Sequence, residues 1–195
     1  PWNFPLAIPA WKIAPALVCG NTVLFKPAFS TPITAIKLVE IFEQAGLPKG
    51  VLNVVTGSSS EIGSSFVENE IVKGISFTGS TEVGTEIYNM ASKSLSKVQC
   101  EMGGKNAVIV MDDGNLEKAQ ESILQGAFGS SGQRCTATSR AIIHQNVFDD
   151  FVKGLVSETR KISVGPGLNR ESDMSCLASR QQLNQIQEYV DIDIN

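Results

Sequence analysis

Gly74 to Lys93 reads GISFTGSTEVGTEIYNMASK, and the hydrophobic period changes midway. Gly74 to Thr78 (GISFT) reads as a strand, and Ser80 to Lys93 (STEVGTEIYNMASK) reads as a helix. Strand, glycine turn and helix start make one βα step, and the same alternation recurs on both sides of it. Upstream, Asn21 to Lys26 (NTVLFK) is a strand ending at Pro27. Thr31 to Ala45 (TPITAIKLVEIFEQA) is a helix with Thr31 as its cap, Pro32 at its first position and Gly46 as its stop. Val51 to Val55 is a short buried strand, Ser60 to Glu68 a helix, and Val98 to Glu101 a further strand. Strands alternating with helices predict an α/β fold: a parallel sheet with helices on both faces. Ligands bind such sheets at the carboxyl ends of the strands. The functional loops are therefore expected after Lys26, Val55, Thr78 and Glu101.

Past Gly103-Gly104 the pattern starts afresh. Asn106 to Met111 is a strand, Leu116 to Phe128 a helix, GSSGQRC a turn, Arg140 to His144 a strand, and Val147 to Ile162 a helix. Gly165-Pro166-Gly167 is a loop, and Gln181 to Val190 is a last helix. The expected domains are 1–103 and 104–195, the second being part of another α/β domain. The start at Pro1 and the stop at Asn195 read as those of a piece of something longer.

Composition removes several function classes. A net charge of -4 gives no electrostatic case for nucleic-acid binding. No stretch reaches the roughly 18–20 apolar residues of a membrane span. The nearest, Leu6 to Cys19, holds Lys12 and has three prolines in or beside it. Cys19, Cys100, Cys135 and Cys176 show no CxxC spacing, so no metal site is expected and a reduced, cytoplasmic setting is. The one histidine, His144, ends an apolar strand and reads as structural.

Four places carry chemistry-bearing residues. Cys135 lies in the polar turn GQRCTA beside Arg134; a cysteine is ordinarily a small buried hydrophobe, but such a turn also exposes a thiol and favours its thiolate. Glu101, in EMGGK, ends an apolar strand; it is an exposed carboxylate paired with Lys105, or a general base in a cleft. Asn3 sits between two prolines in PWNFP, as a turn residue or as an amide donor to an oxyanion. Gly79-Ser80 opens a helix, where Ser80 serves as a cap or the free amides bind a phosphate.

Together these stretches resemble one family. PWNFP, GNTVLFKP (Gly20 to Pro27), FTGSTEVG (Phe77 to Gly84), EMGGK and GQRCTA follow the order and spacing of the aldehyde dehydrogenase superfamily, including the thirty-four residues from Glu101 to Cys135. The resemblance covers essentially the whole chain. It implies a Rossmann-like coenzyme domain, a cysteine-based catalytic domain, and a small-molecule aldehyde substrate. It implies that the full-length protein is a homodimer or homotetramer. Cys135 would be the nucleophile, Asn3 and the Cys135 N–H the oxyanion donors, and Glu101 the base that activates water. NAD or NADP would be held by Lys26 at the adenosine ribose and by Gly79 and Ser80 at the pyrophosphate. Val83 would lie beside the adenine and Gly84 at a close helix–strand approach. Trp2 and Met102 would wall the nicotinamide half.

One position departs from the pattern. Phe29 follows Lys26-Pro27-Ala28 where many relatives carry glutamate, which bears on the choice between NAD and NADP. GQRCTATSR (Gly132 to Arg140) is similar to dehydrogenases of dicarboxylic semialdehydes such as 2-oxoglutarate semialdehyde. Arg134 would then pair with a distal carboxylate, or serve as a structural arginine bonding loop carbonyls. Two rival readings are an acylating dehydrogenase that passes the acyl group to coenzyme A, disfavoured by Glu101, and a non-catalytic dinucleotide-binding or structural module.

Overall fold

A computed structural model describes residues 1–194, apart from the side chains of 59–61 and 193–194; Asn195 lies outside the described residues. The chain divides into two compact units, Pro1–Met102 and Gly103–Asn195.

In the first unit the order is α1 (Ala7–Val18), β1 (Val23–Phe25), α2 (Pro32–Gln44), β2 (Leu52–Val54), α3 (Ser59–Val67), β3 (Gly74–Gly79), α4 (Thr81–Ser92) and β4 (Lys97–Met102). Both strand pairs, β1–β2 and β3–β4, are parallel. The parallel α/β fold read from the alternation is thus what forms, with the strands grouped in twos. Ile13 of α1, Leu38 of α2 and Leu52 of β2 form one core, joined by Leu17, Val23, Phe25, Val39, Phe42 and Leu47. In the second pair, Thr78 lies beside Glu101 and Gly79 beside Met102. That register brings the two carboxyl strand ends together.

Two local details depart from the sequence expectation. Leu6 to Cys19, weighed only as a membrane span, contains the helix α1. Pro9 fits its first turn, where an N–H is not needed, while Pro15 lies inside and gives up a helical donor. No helix among the described residues is long and apolar enough to cross a membrane. Thr31, expected to cap α2, makes no side-chain bond to that helix, and its Oγ1 is buried without a partner among the described residues. Pro32 at the first turn supplies a pre-set φ instead.

The second unit runs β5 (Asn106–Val110), α5 (Leu116–Phe128), β6 (Thr138–Ile143), α6 (Phe148–Thr159) and α7 (Arg180–Ile194). β5 and β6 are parallel. Asn115 caps α5 by accepting from the Lys118 N–H at 3.0 Å. Val110, Ile123 and Phe151 form the core, and Phe151 is 1% exposed. The register slips between Asn106 and Ala107, which face Thr138 and Arg140, so Ser139 is an extra residue in a bulge.

Candidate active site

The expected nucleophile stands on a turn built from backbone constraints. α5 ends at Phe128, and then Ser130, Ser131 and Gly132 take φ of 56°, 57° and 69°. Gly132 has no alternative, since a Cβ there would lie 2.8 Å from the Ala127 carbonyl. Ser131 is 9% exposed; its hydroxyl donates to the Ser175 carbonyl at 2.8 Å and accepts from the Ser175 N–H at 3.1 Å. Gln133 Oε1 accepts from the Ala178 N–H at 2.8 Å. The turn is thus laced to the loop that precedes α7.

Cys135 is exposed, so it is not the buried hydrophobe that a cysteine usually is. The Ala137 N–H donates to the Arg134 carbonyl at 3.1 Å and closes a turn around it. The Arg134–Cys135 peptide is trans, so its N–H points opposite to that carbonyl, away from the turn. The donor directed away from the turn thus belongs to an exposed cysteine. Arg134 donates from Nε to Ser130 Oγ at 3.0 Å, and its guanidinium lies against Gly129. It braces the turn through a hydroxyl, not through the loop carbonyls expected of a structural arginine.

In the first unit, Asn3 is half-buried in the loop that leads into α1. Glu101 is exposed on β4 and accepts from Gln99 Nε2 at 3.2 Å. Lys105, the partner considered for it, has its ammonium 3.7 Å from the centre of the Tyr189 ring in the second unit. Lys12 was not singled out in the sequence. Its Nζ is buried with no hydrogen-bond partner among the described residues. Burial lowers its pKa, while the charges of Glu101 and Cys100 pull it back up. A lone cation in the apolar run Leu6 to Cys19 was the signal available. Thr78 was also missed: its Oγ1 is buried without a partner among the described residues, and the residue pairs with Glu101 across the strands.

The residues expected at a dinucleotide gather around the end of β3 and the start of α4. Ser80 caps α4 by accepting from the Val83 N–H at 3.3 Å. A Cβ on Gly84 would lie 2.6 Å from Met102 Sδ, so the glycine lets that side chain close over the helix as it does, and a larger residue would displace it. Gly79 is as tight, a Cβ there meeting the Phe77 ring at 2.4 Å. Lys26 is half-buried, donates to the Pro27 carbonyl at 3.2 Å, and has its pKa lowered by burial. Phe29 is 73% exposed. An orphaned hydroxyl on Thr78, a helix start and a half-buried cation fit an anionic dinucleotide. His144 Nδ1 accepts from the Asn146 N–H at 3.2 Å, a cap for a short turn. No cluster of three or more His, Cys, Asp or Glu suited to a metal occurs among the described residues.

The aldehyde dehydrogenase family model matches residues 1–195. The chain belongs to the aldehyde dehydrogenase family. This aldehyde dehydrogenase chain is 48% identical over 192 residues to an alpha-ketoglutarate semialdehyde dehydrogenase of Haloferax volcanii, covering 98% of the chain and 39% of that protein. It is 46% identical over 198 residues to a 1-pyrroline-5-carboxylate dehydrogenase of Geobacillus thermodenitrificans, covering 98% and 38%. Among solved structures, betaine aldehyde dehydrogenase from Staphylococcus aureus in complex with NAD+ superposes with a TM-score of 0.96 at 37% identity, over 98% of this chain and 38% of that one. An NADP-dependent enzyme of E. coli gives a TM-score of 0.96 at 38% identity, over 98% and 40%. The chain thus spans about two fifths of the length of these relatives.

Proposed function

We propose that the protein oxidises an aldehyde to the carboxylic acid with NAD or NADP, through a thioester on Cys135. The observation that carries this is the exposed Cys135 on a turn whose Arg134 carbonyl is engaged, leaving the Cys135 N–H aimed outward. The thiolate attacks the aldehyde carbon and forms a C–S bond, and the carbonyl oxygen becomes an oxyanion. The Cys135 N–H and the Asn3 amide donate to that oxyanion. Bound NAD or NADP would supply the acceptor for a hydride and its two electrons, and loss of that hydride from the carbon would leave a thioester on Cys135. Glu101 removes a proton from water, the hydroxide adds to the thioester, the C–S bond breaks, and acid and thiolate separate. A carboxylate at the end of β4 suits transfer to water over transfer to coenzyme A, and supports the hydrolytic reading against the acylating one.

Residues 1–103 serve as the coenzyme domain in this reading and 104–195 as the thiol domain. Lys26 holds the adenosine ribose, Gly79 and Ser80 the pyrophosphate, and Val83 the adenine. Gly84 provides the close approach, and Trp2 and Met102 wall the nicotinamide half. The substrate is a semialdehyde of a dicarboxylic acid, in keeping with the names of the similar proteins. Arg134, engaged with Ser130, acts as a brace and leaves the distal carboxylate to other residues. The full-length protein is a cytoplasmic homodimer or homotetramer; four free cysteines support the reducing compartment. Faster alkylation of Cys135 by iodoacetamide than of Cys19, Cys100 or Cys176 is the expected result, and equal slow labelling of all four would favour a non-catalytic module.

Two further results are expected of the full-length enzyme. Asn3→Ala lowers the acylation rate by roughly 10²–10³, the usual loss for one oxyanion donor, with the fold intact. A change under about threefold in single-turnover kinetics would leave Asn3 as a turn residue. The second result concerns Phe29. A carboxylate in its place would accept bonds from the ribose hydroxyls and repel a 2′-phosphate; a phenyl ring does neither. Loss of such a charged bond costs NAD about 1.5–3 kcal/mol, so the protein accepts NADP at least as readily as relatives with glutamate there. Phe29→Glu is expected to move kcat/KM towards NAD by about 10- to 100-fold. A parent that prefers NAD by more than about a hundredfold, or a variant that does not shift, would count against this.

A further inference from the structure

We infer that Asn106 is a positioning residue for the oxyanion-binding N–H of Cys135; this rests on the reading of Cys135 as nucleophile. Asn106 Nδ2 donates to the Cys135 carbonyl at 2.8 Å and to the Ala137 carbonyl at 3.3 Å. A carboxamide nitrogen has two hydrogens, and here each has a carbonyl of the nucleophile turn to meet.

The bulge is what makes this reach possible. Asn106 faces Thr138 while Ala107 faces Arg140, so β6 carries the extra residue Ser139 and bends just after the segment 135–137, opposite Asn106. Arg140 Nη2 donates to the Lys105 carbonyl at 2.6 Å and fixes the peptide before Asn106. The two peptide planes that flank Cys135 are then held separately. The 134–135 plane is held by the Ala137 N–H on the Arg134 carbonyl, and the 135–136 plane by Asn106. A residue with both neighbouring planes fixed has little freedom left in φ and ψ, so its N–H direction is set. The Cys135 N–H lies in the 134–135 plane, which the Ala137 N–H holds; without the amide the segment 135–137 that carries this donor loosens, and the direction of the Cys135 N–H loosens with it.

No hydrogen bond links Asn106 to the sulfur, so its role is separable from the thiolate. Attack on an aldehyde builds charge on an oxygen that the N–H must meet. Alkylation by iodoacetamide displaces iodide at a saturated carbon and builds no such oxyanion. A positioning role therefore affects the first reaction and spares the second, whereas a purely structural role affects both.

The test uses the full-length enzyme with Asn106→Leu, which keeps the bulk and removes the donors. Asn106→Asp accompanies it, with the same shape and acceptors where the donors were, and keeps the test available should the leucine variant not fold. The single-turnover release of reduced coenzyme is expected to fall about 10- to 100-fold in both, the penalty of a misplaced donor. The plateau rate of Cys135 alkylation at high pH, where the thiol is fully ionised, is expected to stay within about threefold of the parent. Unchanged single-turnover rates would overturn the inference, and so would a parallel fall in both reactions. A Cys135→Ala enzyme that still turns over would instead overturn the reading beneath it, so the two failures are told apart.

Discussion

Cys135→Ala in the full-length enzyme is expected to lower aldehyde oxidation by at least about 10³-fold, to roughly 0.1% or less, if the sulfur forms the covalent bond. In the proposed mechanism the exposed thiol takes up the aldehyde carbon, and a methyl group cannot replace it. Coenzyme binding is expected to persist, because Lys26, Ser80 and Gly84 belong to the first unit and Cys135 to the second. The turn itself is held by Ser131, Gln133, Arg134 and Asn106 through backbone groups and a hydroxyl. The measurements are steady-state turnover and coenzyme titration of the same preparation. Activity above a few per cent with normal coenzyme affinity would remove Cys135 from the mechanism.

Glu101→Gln is expected to separate the two halves of the reaction. The amide cannot take a proton from water, and general-base assistance is worth about 10²–10⁴-fold. Reduced coenzyme should appear in a burst close to one per active site, followed by slow turnover limited by thioester hydrolysis. Lys12 adds a second observable. Its buried ammonium is favoured by the charge of Glu101, so the neutral glutamine removes a stabilising charge and pushes the Lys12 pKa further down. The sign is fixed: a lysine that loses a nearby carboxylate gives up its proton at lower pH, so any pH dependence that it carries moves towards acid. If burst and steady state fall together, Glu101 acts before acylation, on the thiol itself. If neither changes, it is a strand-end carboxylate held by Gln99.

The elements that the sequence made readable are those with local signals. α5 runs from Leu116 to Phe128 in both the reading and the structure, because Asn115 caps one end and Gly129 breaks the other. The βα step at Gly74 to Lys93 was legible for a similar reason, with its period change and Ser80 at the junction. α1 was not, since Pro9, Pro15 and Lys12 break its apolar pattern, and proline at those positions is tolerated only in a context that the sequence does not display. Lys12 and Thr78 escaped notice because burial, a tertiary property, is what makes a lysine or a threonine unusual. Asn106 escaped for a different reason. It meets Cys135 twenty-nine positions away through a one-residue slip between β5 and β6, and no local pattern encodes such a slip. The motifs around Cys135 and Glu101 named the family, but which groups hold the nucleophile turn had to come from geometry.

The three left-handed residues before Gln133 also bear on how this segment drifts under mutation. Ser130 and Ser131 hold a conformation that L-residues with a Cβ adopt at a cost of about 1–2 kcal/mol each, and Gly132 admits nothing larger. The permitted neighbours in sequence space are therefore few: glycine and asparagine relieve the strain, while valine, isoleucine and threonine deepen it. The two serines are not equivalent in this respect. The Ser130 hydroxyl meets the flexible Arg134 side chain, so a change there can be absorbed by its partner, whereas Ser131 serves both backbone groups of Ser175 from a buried position. A lineage can thus wander at 130 and is anchored at 131. Random mutagenesis with selection for folded protein should leave that asymmetry as a legible scar, with varied residues at 130, a narrow set at 131, and an unbroken glycine at 132.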